Sequence, residues 1–134
     1  MATFPNLDAA LFSKLTNDNG VKTIVTARVY SLFAPEGATM PYVIFYEADG
    51  KIPNTCPRDT GDVVYRVESR ATSLAGGVAL HGAIYTALHE SSLTVSGWTN
   101  YALTCTREMR FPEDLSGVQY FRFVWDVRIR LSKD

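Results

Sequence analysis

From Val118 to Leu131 the chain alternates with a period of two. Phe121, Phe123, Trp125, Val127, Ile129 and Leu131 fall on one side, and Tyr120, Arg122, Val124, Asp126, Arg128 and Arg130 on the other. This pattern predicts a long strand with one apolar face. Val63, Tyr65 and Val67 alternate with Arg66 and Glu68 in the same way. Tyr42 to Ala48 is aromatic and β-branched and reads as a further strand, ended by the turn chemistry of Asp49-Gly50. Lys51 to Gly61, with Pro53 and Pro57, is expected as a long polar loop, so these two strands form a hairpin with an extended tip. Tyr101 to Met109 is one more strand, and Phe111 to Gly117 is expected as the loop before the last one.

Two segments carry helical spacing instead. Leu7, Leu11 and Leu15 recur every four residues after Asn6, a good cap, and Asn17, Asn19 and Gly20 stop that helix. Ser73 caps a second helix over Leu74 to Glu90, with Leu80, Ile84 and Leu88 on one stripe beside Ala83 and Ala87. Gly76, Gly77 and Gly82 each weaken it by up to about 1 kcal/mol, so close packing on a sheet must hold it. Val21 to Tyr30, β-branched and broken by Arg28, reads as one or two short strands. Ala34-Pro35-Glu36-Gly37 and Met40-Pro41 are loop chemistry. The expectation is an α+β two-layer sandwich: an antiparallel sheet of four to five strands, with two helices packed on one face. No repeat or linker divides residues 1–134, which are expected to form one domain.

Composition narrows the function classes. The 134 residues are 46% hydrophobic and 20% charged, which suits a folded soluble protein. A formal charge of -1 lacks the overall basic footprint of non-specific nucleic-acid binding. The start of the chain does not read as a signal peptide, and no run approaches the ~20 apolar residues of a membrane span. Cys56 and Cys105 stand apart, with no partner spacing for zinc, and are expected as free thiols.

Candidate chemistry is sparse. Catalysis would have to use His81 or His89, with Glu90 adjacent, but eight residues separate the histidines by two turns and ~12 Å, too far to share a metal. Neither a phosphate-binding glycine loop nor a Gly-x-Ser-x-Gly elbow is present. No catalytic, cofactor or metal residues are therefore expected. Phe121, Phe123 and Trp125 share the apolar face and are core, not base-stacking groups. Arg122, Arg128 and Arg130 face a partner or lumen, or merely water. Lys51, Arg58, Asp59 and Asp62 in the long loop, and Glu113 and Asp114 in the second, are candidates for complementary contact with a partner.

The order of these signals resembles the tail-completion, or tail terminator, proteins of long-tailed phages. The resemblance lies in a short amphipathic helix ending near Leu15, then Arg28-Val29-Tyr30 leading to Ala34-Pro35-Glu36-Gly37. Met40-Pro41-Tyr42-Val43 then opens a strand, and a central helix ends at Ala87-Leu88-His89 before two closing strands. It implies a non-enzymatic subunit forming a homo-hexameric ring that caps the tail tube at its head-proximal end. The implied partners are further copies of the chain, the tail tube protein and head-tail connector proteins. Neither a membrane nor a cofactor is implied, and DNA is implied only in transit through a channel. The resemblance further implies a virion component assembled in the cytoplasm of the bacterial host. A head-side connector or stopper piece of the same particle, and a small cytoplasmic enzyme using His81 or His89, are the alternatives.

Overall fold

The computed structural model describes residues 7–51, 60–115 and 117–134. Helix α1 spans Asp8–Asn17 and buries Leu11 and Leu15. Leu7 occupies the cap position without a side-chain cap bond, and the expected cap Asn6 lies outside the described residues. Asp8 instead ties the first turn to the sheet, accepting from Ser31 Oγ at 2.7 Å and from the Tyr65 hydroxyl at 2.8 Å. Burial, reinforced by that bond to the Asp8 carboxylate, pushes the Tyr65 phenol well above its ordinary pKa.

The next segment corrects the sequence expectation. Asn19–Val25 is a second helix, α2, where strands are expected, and only Val29–Ser31 is a strand, β1. The Asp18 carboxylate caps α2 by accepting the Val21 N–H at 3.1 Å, and Val21 and Val25, one turn apart, are both buried. That cap and tertiary packing override the β-propensity of a β-branched run. Gly20, read as a stop, lies inside the first turn of α2.

The sheet holds β2 (Tyr42–Lys51), β3 (Thr60–Ala71), β4 (Thr94–Val95), β5 (Trp98–Leu115) and β6 (Val118–Lys133) besides β1. Its order is β1-β2-β3-β6-β5-β4, six strands among the described residues rather than four or five. It is mixed rather than antiparallel throughout, because β1 runs parallel to β2 while the other pairs are antiparallel. Both expected loops shorten. Asp49 and Gly50 continue β2 past a bulge after Glu47. Phe111–Leu115 pairs residue by residue with β6, down to Leu115 opposite Val118 and a turn at Gly117, whose φ is 83°. Ladder bonds outweigh local loop propensity here because a long partner strand is available.

Helix α3 spans Leu74–Leu88, starting where Ser73 Oγ accepts the Gly76 N–H at 3.1 Å. Among the described residues there are thus three helices, not two. One core joins Leu11, Leu15, Val21, Val25, Leu80, Ile84 and Leu88 from the helices to Phe45, Val67, Leu103, Val127, Ile129 and Leu131 from one face of the sheet. Gly77 makes this approach possible: a Cβ there would stand 2.2 Å from Phe123 Cε2. Beside Gly82, by contrast, there is open space.

Candidate assembly interface

The sheet face away from the helices is defined by cross-strand pairing. Tyr42, Arg70, Arg122 and Phe111 form one row across the strands, Ile44, Glu68, Val124 and Met109 the next, and Tyr46, Arg66, Asp126 and Arg107 a third. Sequence alternation marks this face as open and mixed, yet Tyr42, Ile44, Glu68, Tyr120, Val124 and Asp126 are all buried. Long side chains lying flat explain part of this. The Arg122 guanidinium lies 4.6 Å over the Phe111 ring, and that of Arg70 lies 5.9 Å from both the Tyr42 and Tyr120 rings.

Arg66, Arg122 and Arg128 on this face are ion-paired within the chain. Arg66 Nε donates to Asp126 Oδ1 at 2.9 Å. Arg122 stands 3.2 Å from Glu68 and 2.9 Å from Glu113; the second contact has ion-pair distance, but its N–H is not aligned for a hydrogen bond. Arg128 makes a two-pronged pair with Asp62, its Nε donating at 2.9 Å and its second nitrogen meeting the other oxygen. Glu113 also accepts from the Tyr120 hydroxyl at 2.5 Å.

The candidate residues therefore fall into separate places. Glu113 and Arg122 meet near the β5–β6 turn. Asp62 and Arg128 meet about 20 Å away, six residues along β6. Asp114 accepts the Gly117 N–H at 3.1 Å and so closes the turn. Arg130 is half-buried beside Ala102, and its carbonyl accepts from Asn100 Nδ2. Lys51 ends β2, while Arg58, Asp59 and Cys56 lie outside the described residues. Glu68, buried under Arg122, escaped sequence reasoning because an alternating pattern cannot show that the second face is covered.

Both histidines fasten α3 to β5. His81 is buried, stacked on Trp125 at 4.2 Å and 8°, with Nε2 3.0 Å from Glu108 Oε2 and Nδ1 without a hydrogen-bond partner. The Trp125 indole N–H donates to the His81 carbonyl at 2.9 Å. His89 accepts the Cys105 N–H at Nδ1, 3.1 Å away, and stacks on Tyr85. Cys105 is a free thiol whose pKa burial pushes up to about 12, so it is a poor nucleophile near neutral pH. Among the described residues no cluster of three or more His, Cys, Asp or Glu could hold a metal, and no helix is long and apolar enough to cross a membrane.

Desolvation lowers the His81 pKa, although Glu108 pulls it up and Arg110 pushes it down further. The folded state then binds fewer protons than the unfolded state below the unfolded imidazole value of about 6.5. Stability contributed by neutral His81 is present above that pH and is lost as pH falls toward the folded pKa. His81→Gln removes this titration, so its stability difference from wild type should drift in the variant's favour on acidification, by at most about 1.4 kcal/mol per pH unit. Urea unfolding from pH 7.5 to 5 measures it, and a constant difference would mean that folding leaves the imidazole pKa unshifted.

The fold and this face together define a structural subunit: an α+β layer pair presenting sheet edges, loops and an ion-paired face, with its histidines used in packing. The family model described as "Tail completion protein gp17" matches residues 9–132, and the chain belongs to that family. Among solved structures, a chain from the "Virion of native gene transfer agent (GTA) particle" has the same fold, with TM-score 0.76, 18% sequence identity and 94% of each chain covered. None of the curated proteins matches. The protein is a structural tail-completion protein of a virion.

Proposed function

We propose that this chain is the tail terminator: a homo-hexameric ring that sits on the head-proximal end of the tail tube, stops its growth and offers the surface to which the head side joins. The family match over residues 9–132 carries this reading. Ring closure needs two unlike surfaces on each subunit, and the sheet supplies unlike ends, β1 at one and β4 at the other. A stable contact buries roughly 800 Å² per subunit. The turn bearing Glu113 and Asp114, the rim bearing Asp62, Arg128 and Arg130, and the connection from Lys51 through Arg58 and Asp59 are the proposed contact regions. The work of the protein is assembly rather than turnover, and DNA only passes through the ring.

Purified chain, alone at high concentration and with polymerised tail tube protein, tests this by light scattering and negative-stain microscopy. Rings at one end of the tubes are expected. A strict monomer in both settings overturns the reading, and capture by portal or adaptor rings in place of tubes would move the subunit to the head side.

A further inference from the structure

Two consecutive apolar residues stand out from the fold. Phe33 is 74% exposed and Leu32 63%, more than any other large hydrophobic among the described residues. Their backbone is held in place: the Phe33 N–H donates to the Ser31 carbonyl at 2.9 Å, and the Leu32 N–H to the Phe45 carbonyl at 2.9 Å. Leu32, the centre of this three-residue turn, has φ 72°, a conformation uncommon and strained for a leucine. A strained turn that projects apolar side chains into water gains no burial for them within the chain, and such outliers gather at contact sites.

A receiving site runs along α1, whose first turn is tied to Ser31 of β1, and reaches the segment that enters β4. An open groove of about 620 Å³ runs between α1 and the segment entering β4, lined by Ala9, Ala10, Ser13 and Lys14 on the helix, by Asp18, which caps α2, and by Leu93 opposite. That volume lies within the roughly 300–1,000 Å³ of sites that seat compact ligands. The tip leaves β1 and the groove abuts β4, the two ends of the strand order. Charge agrees with this pairing. Lys14 on the groove wall and Glu36, three residues beyond Phe33, make no ion pair within the chain among the described residues.

We infer that Leu32 and Phe33 of one copy seat in the α1–β4 groove of the next, with Glu36 reaching Lys14, as the anchor of a head-to-tail contact. This rests on the ring reading above and names its surface. An aromatic side chain in a pocket is the usual anchor of an interface, and the surrounding contacts supply area rather than energy.

The test uses full-length chain under conditions in which wild type forms rings. Phe33→Ser and Ser13→Trp both change exposed positions and should leave the melting temperature alone. Each should raise the concentration needed for assembly by about 30-fold or more, the size expected when an anchor is lost. Mixed together, they should give a two-chain species that does not extend, since each retains one intact half of the contact. Glu36→Lys and Lys14→Glu should each weaken assembly, and the double exchange should restore it. Normal rings from Phe33→Ser, or no rescue by the charge exchange, would overturn this contact and leave the ring reading standing. A wild type that never self-associates would remove both.

Discussion

Phe123→Ala should lower the free energy of unfolding by about 3–5 kcal/mol, the range for deleting a fully buried aromatic. Phe123 is 1% exposed on β6, with its ring against Gly77 of α3 and 5.2 Å from the His81 ring, on the layer boundary that holds helix to sheet. Truncation removes that buried surface and leaves a cavity the flanking helix can close only partly. Urea unfolding of dilute, unassembled protein measures the loss as a fall in midpoint at unchanged slope. A shift below about 0.5 kcal/mol would put the ring on the wrong face of the strand, in the range of ordinary surface substitutions.

Gly77→Ala should destabilise by about 1–3 kcal/mol, even though alanine is the better helix former by up to about 1 kcal/mol. The new Cβ would lie 2.2 Å from Phe123 Cε2 and 3.0 Å from Cδ2, and a ring this buried has little room to move. Gly82→Ala in the same helix meets nothing within 4 Å and should stabilise by about 0.5–1 kcal/mol. Opposite signs at two glycines of one helix separate packing from propensity. Combining Gly77→Ala with Phe123→Leu should cost less than the sum of the two, since the smaller side chain yields the space. Equal stabilisation at both glycines would show that α3 stands off the sheet.

The resemblance to tail-completion proteins, drawn from the order of elements, agrees with the family match. Its structural basis was uneven. The apolar face of β6, the stripe of α3 and the Ser73 cap were all legible, because each is a periodic or local signal within one segment. The second glycine of Gly76-Gly77 was correctly linked to close packing, whereas Gly82 was not of that kind. α2 was missed because its β-branched residues favour strand locally, and only Asp18 and the core decide for helix. The length of β5 was missed because Phe111, Pro112 and Glu113 carry loop chemistry until a partner strand aligns with them.

Candidate contact residues suffered most. Charge in the sequence marked Arg122 and Arg128 as open to a partner or to water, and the fold brings Glu68, Glu113 and Asp62 against them. No spacing rule pairs position 68 with 122, since they meet only when β3 and β6 lie side by side. Leu32 and Phe33 are a converse case: two apolar residues beside loop chemistry carry no sign of exposure until the turn that displays them is built.

The amino-acid sequence by itself determined which segments have a greasy side and hence the α+β class, because burial periodicity is written along a single element. The tertiary structure alone decided strand order, the parallel β1–β2 pair, the pairing of Arg66, Arg122 and Arg128 with carboxylates and the groove along α1. Each of these depends on which distant segments become neighbours, and that is fixed by the joint packing of the whole core rather than by any one stretch of chain.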